Sequence, residues 1–107
     1  MATFDVIIKY NLSTAHHHDD VNTYVKKCML EKGYNDHFKY KEEIYNLPNT
    51  TLWKKGVTDI EAGYNDLKKC VEEYNNSQRP RTYHEVERFI ANEFNGNWHA
   101  IKGKPHQ

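Results

Sequence analysis

Cysteine is scarce in this chain: Cys28 and Cys70 are the only two, and neither has a second thiol a few positions away. That excludes a Cys-x-x-Cys metal or redox motif and a disulfide-dense scaffold, and leaves two free, buried thiols as the expectation. Five glycines and three prolines leave no Gly- or Pro-rich linker, and there is no internal repeat or low-complexity segment. Charge of one sign is lacking too. Fifteen Lys and Arg stand against fifteen Asp and Glu, so no long-range field steers the molecule toward nucleic acid or an anionic membrane, and any such contact has to be local. The two parts of the chain differ little, with ten cations against twelve acids over residues 1–78 and five against three over 79–107. No apolar run approaches the roughly 20 residues of a membrane span, and no basic-then-apolar leader opens the chain. The expectation is a cytoplasmic protein with no membrane contact.

Bulky rings are what the chain does have. Eight Tyr, four Phe and two Trp in 107 residues supply burial that disordered chains lack, although hydrophobic residues make up only 37% and charged ones 28%. The length suits one domain, expected to span residues 1–107 with a loose tail from about 103 to 107. A monomer of this size buries only about two thirds of its unfolded surface, so pairing with a second copy would stabilise it materially.

Phe4 to Leu12 alternates Phe4, Val6, Ile8, Tyr10 and Leu12 with Asp5, Ile7, Lys9 and Asn11, which is a half-buried strand. Asp19 or Asp20 can cap a helix carrying Val21, Tyr24, Val25, Cys28 and Met29 on one face, with Gly33 as its left-handed stop. On that face Tyr24 and Met29 read as core. His37 to Asn46 and Thr50 to Lys55 read as strands joined by a hairpin corner at Leu47-Pro48-Asn49, since proline cannot donate to a ladder and asparagine tolerates turn conformations. Thr58-Asp59-Ile60-Glu61 has the pattern of a capping box, and Ile60, Tyr64, Leu67, Val71 and Tyr74 mark one face of a second helix, with loop from Asn75 to Arg81. In the last third, Thr82-Tyr83-His84-Glu85 resembles another capping box, and Val86, Phe89, Ile90 and Phe94 follow at helical spacing, so periodicity leans to helix without deciding against strand. Asn95-Gly96-Asn97 is a turn, and Trp98 to Lys102 is a short strand or an extended tail.

Strand, helix, strand, strand, helix and a final element is the order of an α+β, ferredoxin-like βαββαβ fold, with two helices on one face of an antiparallel sheet. The other face then carries Ile7 and Trp53. These are the candidates for a homodimer interface, because an apolar area facing water calls for a cover.

Candidate chemistry is thin. His16, His17 and His18 beside Asp19 and Asp20 have metal-ligand side chains, but three consecutive side chains rarely converge on one ion, so the stretch reads as a solvated loop that caps the helix. No phosphate loop, nucleophile elbow or His-Glu-x-x-His motif occurs, and no cofactor is expected. His84 and His99 are lone histidines without an identifiable partner, which suits structural or surface roles. Lys54 and Lys55 beside Trp53, with Arg79 and Arg81 in a loop, are candidates for gripping phosphates while an aromatic stacks a base.

"IIKYNL" ending the first strand, "LPNTTLW" with "IEAGYNDLKK" after it, and "RFIANEFNGNWHAI" near the end together resemble the small CRISPR-associated ferredoxin-like endoribonuclease family, particularly its stand-alone SinR-like relatives. The resemblance covers nearly the whole chain and implies that about Glu87 to Phe94 is the last strand. It also implies a dimer in which a first-strand Tyr-Asp-Leu brings two aspartates together to hold a divalent metal for phosphodiester cleavage. Here that triplet is Tyr10-Asn11-Leu12. An amide is neutral and offers a divalent cation no charge neutralisation, so Tyr10 and Asn11 become candidates for nucleic-acid contact rather than catalysis. The expected function is a non-catalytic or weakly catalytic homodimeric module that binds nucleic acid or a protein. The alternatives are a metal-dependent endoribonuclease of the same family, or a toxin–antitoxin component or phage-encoded inhibitor.

Overall fold

The computed structural model describes residues 2–13, 21–80, 83–95 and 98–103. The histidine run, Asp19 and Asp20 with their expected cap, Arg81, Thr82, Gly96 and Asn97 of the expected turn, and residues 104–107 lie outside the described residues.

Seven elements follow one another: β1 (Phe4–Leu12), α1 (Val21–Glu31), β2 (His37–Tyr40), β3 (Glu43–Asn46), β4 (Thr51–Val57), α2 (Ala62–Gln78) and β5 (Val86–Glu93). The fold is α+β and ferredoxin-like. An antiparallel sheet of order β4-β1-β5 has both helices on one face, while β2 and β3 form a ribbon of their own. The place beside β4 that a second strand would fill in a continuous sheet keeps only the Asn35–Trp53 bridge, with its two backbone bonds of 2.8 and 3.0 Å.

Alternation in β1 does what its sequence promises. Val6, Ile8, Tyr10 and Leu12 are buried against the helices, and Lys9 and Asn11 on the other side are exposed. Val25 and Met29 of α1 and Leu67 and Cys70 of α2 complete this core without measurable exposure. α1 ends as a Schellman motif: Gly33, at φ 97°, donates to Leu30 O, and Tyr34 N donates to Met29 O. α2 starts close to the sheet at Gly63, where a Cβ would stand 3.0 Å from Ile8 Cγ2.

Four expectations are corrected. His37 to Asn46 is not one strand: the chain reverses at Lys41 and Glu42, both left-handed (φ 49° and 70°), so the hairpin tip lies here and Leu47-Pro48-Asn49 is the crossover from β3 to β4. The cysteines are not free thiols but a Cys28–Cys70 disulfide, Cα–Cα 5.8 Å, tying α1 to α2. The capping box is not formed: Asp59 Oδ1 accepts from Glu61 N at 2.9 Å, whereas Glu61 makes no side-chain cap. α2 runs on through Asn75 to Gln78, and Ile60 and Tyr64 are exposed while Gly63 and Cys70 take the buried face. The ambiguous last third is a strand, because Phe89 turns inward against Tyr64 and the core while its neighbour Ile90 turns outward. Among the described residues no helix is long and apolar enough to cross a membrane.

Candidate functional site

The sheet face away from the helices is the part of the molecule whose side chains are not consumed by the core. Register places three rows on it: Ile7 between Trp53 and Asn92, Lys9 between Thr51 and Ile90, and Asn11 opposite Arg88. The first row is covered by the chain itself. Trp53 Nε1 donates to His37 O at 2.6 Å, and its ring meets Phe94 at 5.8 Å. Phe38, from β2, stacks on Tyr45 at 5.2 Å and takes Phe94 and Trp98 edge-on at 5.1 and 5.0 Å. These rings form a second, aromatic core between sheet and hairpin. The segment from Trp98 to Gly103 is held to β3 where Lys102 O accepts from Asn46 N at 2.9 Å. The other two rows stay open to solvent on the β5 side, with Ile90 59% exposed.

The residues expected to contact nucleic acid are divided by the fold. Tyr10 is in the helix-side core, and burial pushes its phenol up to about 12. Lys54 lies in register with Val6 on the helix side, its Nζ 5.1 Å from the centroid of the Tyr34 ring. Arg79 closes α2 in the left-handed region, its N–H donating to Asn75 O at 3.2 Å. Lys55 is exposed at the bulge where Gly56, φ 71°, donates to Asp5 Oδ1. Among the described residues of this set, Asn11 stands on the open face opposite Arg88. Of the two expected interface residues, Ile7 and Trp53 are neighbours on that face, half-buried beneath the aromatic cover.

The lone histidines take separate roles. His84 is buried, and its Nδ1 donates to Ser13 O at 2.7 Å. Asn75 locks the same residue in place, with Nδ2 donating to His84 O and Oδ1 accepting from His84 N, both at 2.9 Å. His99 is exposed at the rim of a groove on the open face. Among the described residues no group of three or more His, Cys, Asp or Glu is arranged to hold a metal ion.

Sequence reasoning missed Lys9, Arg88 and Ile90. The signal was present in the alternation of Ile7, Lys9 and Asn11, but their partners became visible only once Val86–Glu93 was a strand with a register. It also missed Tyr34, whose hydroxyl donates to Asp66 Oδ2 at 2.8 Å and whose phenol is raised by burial and then by that carboxylate. Comparison of the chain with protein-family models, with curated proteins and with solved structures returns no match.

Proposed function

We propose that the chain is a non-catalytic interaction module that pairs with a second copy of itself through the part of the sheet face its own hairpin leaves open. The observation that carries this reading is Ile90. It is a β-branched apolar side chain at 59% exposure on the edge strand, in a row with Lys9 and next to Asn11, Arg88 and Asn92. An apolar centre ringed by polar groups, with arginine among them, is the composition of a self-complementary contact. The interface therefore shifts from Trp53, which the aromatic core already covers, toward Ile90, with Ile7 between them.

Asn11 and Arg88 argue against metal-dependent cleavage at the position the family resemblance singles out. A neutral amide gives a divalent cation no charge to neutralise, and the residue opposite it is Arg88, paired with Glu87 at 3.3 Å, which supplies no ligand either. A second reading has a specific observation behind it: Lys9, Asn11 and Arg88 share one face, so a single strand of nucleic acid would find two cations and an amide for its phosphates.

Light scattering on the whole chain across the micromolar range tests the pairing. A dimeric mass is expected, and Ile90→Lys is expected to give a folded monomer. A monomeric wild type, or a dimer indifferent to Ile90→Lys, would overturn it. For the second reading, replacing Lys9 and Arg88 by Gln is expected to flatten the salt dependence of binding to a mixed-sequence RNA single strand, and that RNA is expected to remain uncut with magnesium present.

A further inference from the structure

The crossover Leu47-Pro48-Asn49 does more than turn the chain. Its Leu47 and Pro48 form one wall of a groove of ≈ 400 Å³ on the open face, whose floor is Ile7 and Lys9 and whose opposite wall is Trp98 and Ala100. This volume lies in the range of small-molecule sites, roughly 300–1,000 Å³. The walls are apolar, and the floor carries one cation.

Lys9 has no carboxylate partner among the described residues, and its strand neighbours on this face, Thr51 and Ile90, are both uncharged. Asp5, the acid on the same side of β1, is four residues away, about 13 Å at strand rise, and its Oδ1 is engaged by Gly56 N. Lys9 thus lines the groove as an exposed ammonium on an aliphatic stem, with no carboxylate paired to it among the described residues. An occupant with an apolar body and one negative charge satisfies both. His99, lining the same groove, offers an imidazole to the acidic end.

We propose that this groove binds a small amphipathic monoanion: an aromatic or alicyclic body bearing one carboxylate or sulfonate, held by Lys9 and sandwiched between Leu47-Pro48 and Trp98-Ala100. The assignment shares Ile7 and Lys9 with the self-pairing surface and goes beyond it, since its occupant is a small molecule and its walls come from the crossover and the C-terminal segment.

Two fluorescent probes of almost the same shape test it on the full chain: anilinonaphthalene sulfonate, which carries the charge, and phenylnaphthylamine, which does not. The folded protein is expected to bind one equivalent of the sulfonate about tenfold more tightly than the uncharged probe, as one charge-assisted contact predicts. Lys9→Gln, an exposed position, is expected to abolish that preference and leave the uncharged probe unaffected. Ala100→Leu is expected to fill the groove and weaken both probes at an unchanged melting temperature. Should that variant not fold, the Lys9→Gln comparison decides alone. Equal affinities for the two probes, a sulfonate affinity indifferent to Lys9→Gln, or binding unchanged in folded Ala100→Leu would each overturn the assignment. So would probe release as protein concentration rises through the dimerisation range, because a second copy would then be the occupant.

Discussion

The two faces of β1 are closed in different ways. Toward the helices, Val6, Ile8, Tyr10 and Leu12 meet Val25, Met29, Leu67 and Tyr74 of α1 and α2, and the Cys28–Cys70 disulfide joins those helices covalently. Toward the hairpin, Ile7 and Trp53 meet aromatic rings; the Asn35–Trp53 backbone pair and Trp53 Nε1 on His37 O join the covering layer to the sheet, while the bonds from Leu47 N to Asp36 O and from Asn46 N to Lys102 O tie that layer to itself. A buried core under a covalent cross-link is expected to behave as one cooperative unit. Rings on a tethered ribbon give a layer that can open locally while the sheet stays intact. The groove lies on this hairpin side, lined by Phe38, Phe94 and Trp98 of the aromatic layer.

The largest effect should come from the disulfide. It closes a loop with a sequence separation of 42, for which chain entropy predicts a stabilisation of about 4 kcal/mol. Thermal melts with and without reductant, and of Cys28→Ala/Cys70→Ala, should both show this loss. Equal melting temperatures would mean that the helix layer owes its rigidity to packing alone. Such bonds are common in oxidising compartments and rare in a reducing cytosol.

Next come single side chains on the two faces. Leu67→Ala removes a residue with no exposure and should cost about 3 kcal/mol in denaturant titrations, whereas Trp98→Ala, half-exposed, should cost roughly half of that. Amide exchange should rank them likewise, with β2 and β3 exchanging before β1. If Trp98→Ala proves the more damaging, the aromatic layer belongs to the global unit and the contrast fails.

The helix face was legible in the sequence, and the hairpin face was not. Period-two alternation exposes β1, and Gly33 after a helical stripe exposes the end of α1, because both signals are local. The hairpin tip carries Lys41 and Glu42 where an Asn-Gly pair would have announced it. β5 reads as helix because Phe89 and Ile90 are both apolar although they face opposite sides of the sheet. Disulfide pairing and the groove depend on residues far apart in the chain, and the exchange between Asn75 and His84 spans nine positions that no local pattern marks as a contact. Their spacing says nothing about contact. Asn11 was found through a family resemblance; Arg88 opposite it required the register.

Smaller effects sharpen the comparison. Burial holds the Tyr10 pKa at about 12 against its ordinary value of 10.0. The neutral phenol is therefore favoured in the folded chain, and its contribution is whole below about pH 10, the unfolded value, and lost as pH rises through about 12. Melts should fall across that window in the wild type, and less steeply in Tyr10→Phe. On the hairpin side, Lys41→Asn with Glu42→Gly supplies the residues that a two-residue turn with two positive φ angles favours, and should stabilise β2 and β3 by about 1 kcal/mol. Slower exchange confined to those strands is the expected readout. Protection gained equally in β1 would show the two layers opening together.

The smallest effect is expected at Asn49. Its backbone oxygen accepts from Thr50 Oγ1 at 2.6 Å, and Thr51 N donates to Pro48 O at 3.1 Å, so the crossover is held by main-chain groups and threonine hydroxyls rather than by the exposed Asn49 side chain. Asn49→Ala keeps those bonds and should lower stability by about 1 kcal/mol or less, read from thermal melts. Leu47 and Pro48 line the groove and Asn49 does not. The variant should therefore bind the sulfonate probe like the wild type, whereas Leu47→Ala should weaken it. Lost binding in Asn49→Ala with an unchanged melt would move the functional residue one position along the crossover. A large drop in melting temperature would show that the corner itself, and not the rings behind it, holds the hairpin layer to the sheet.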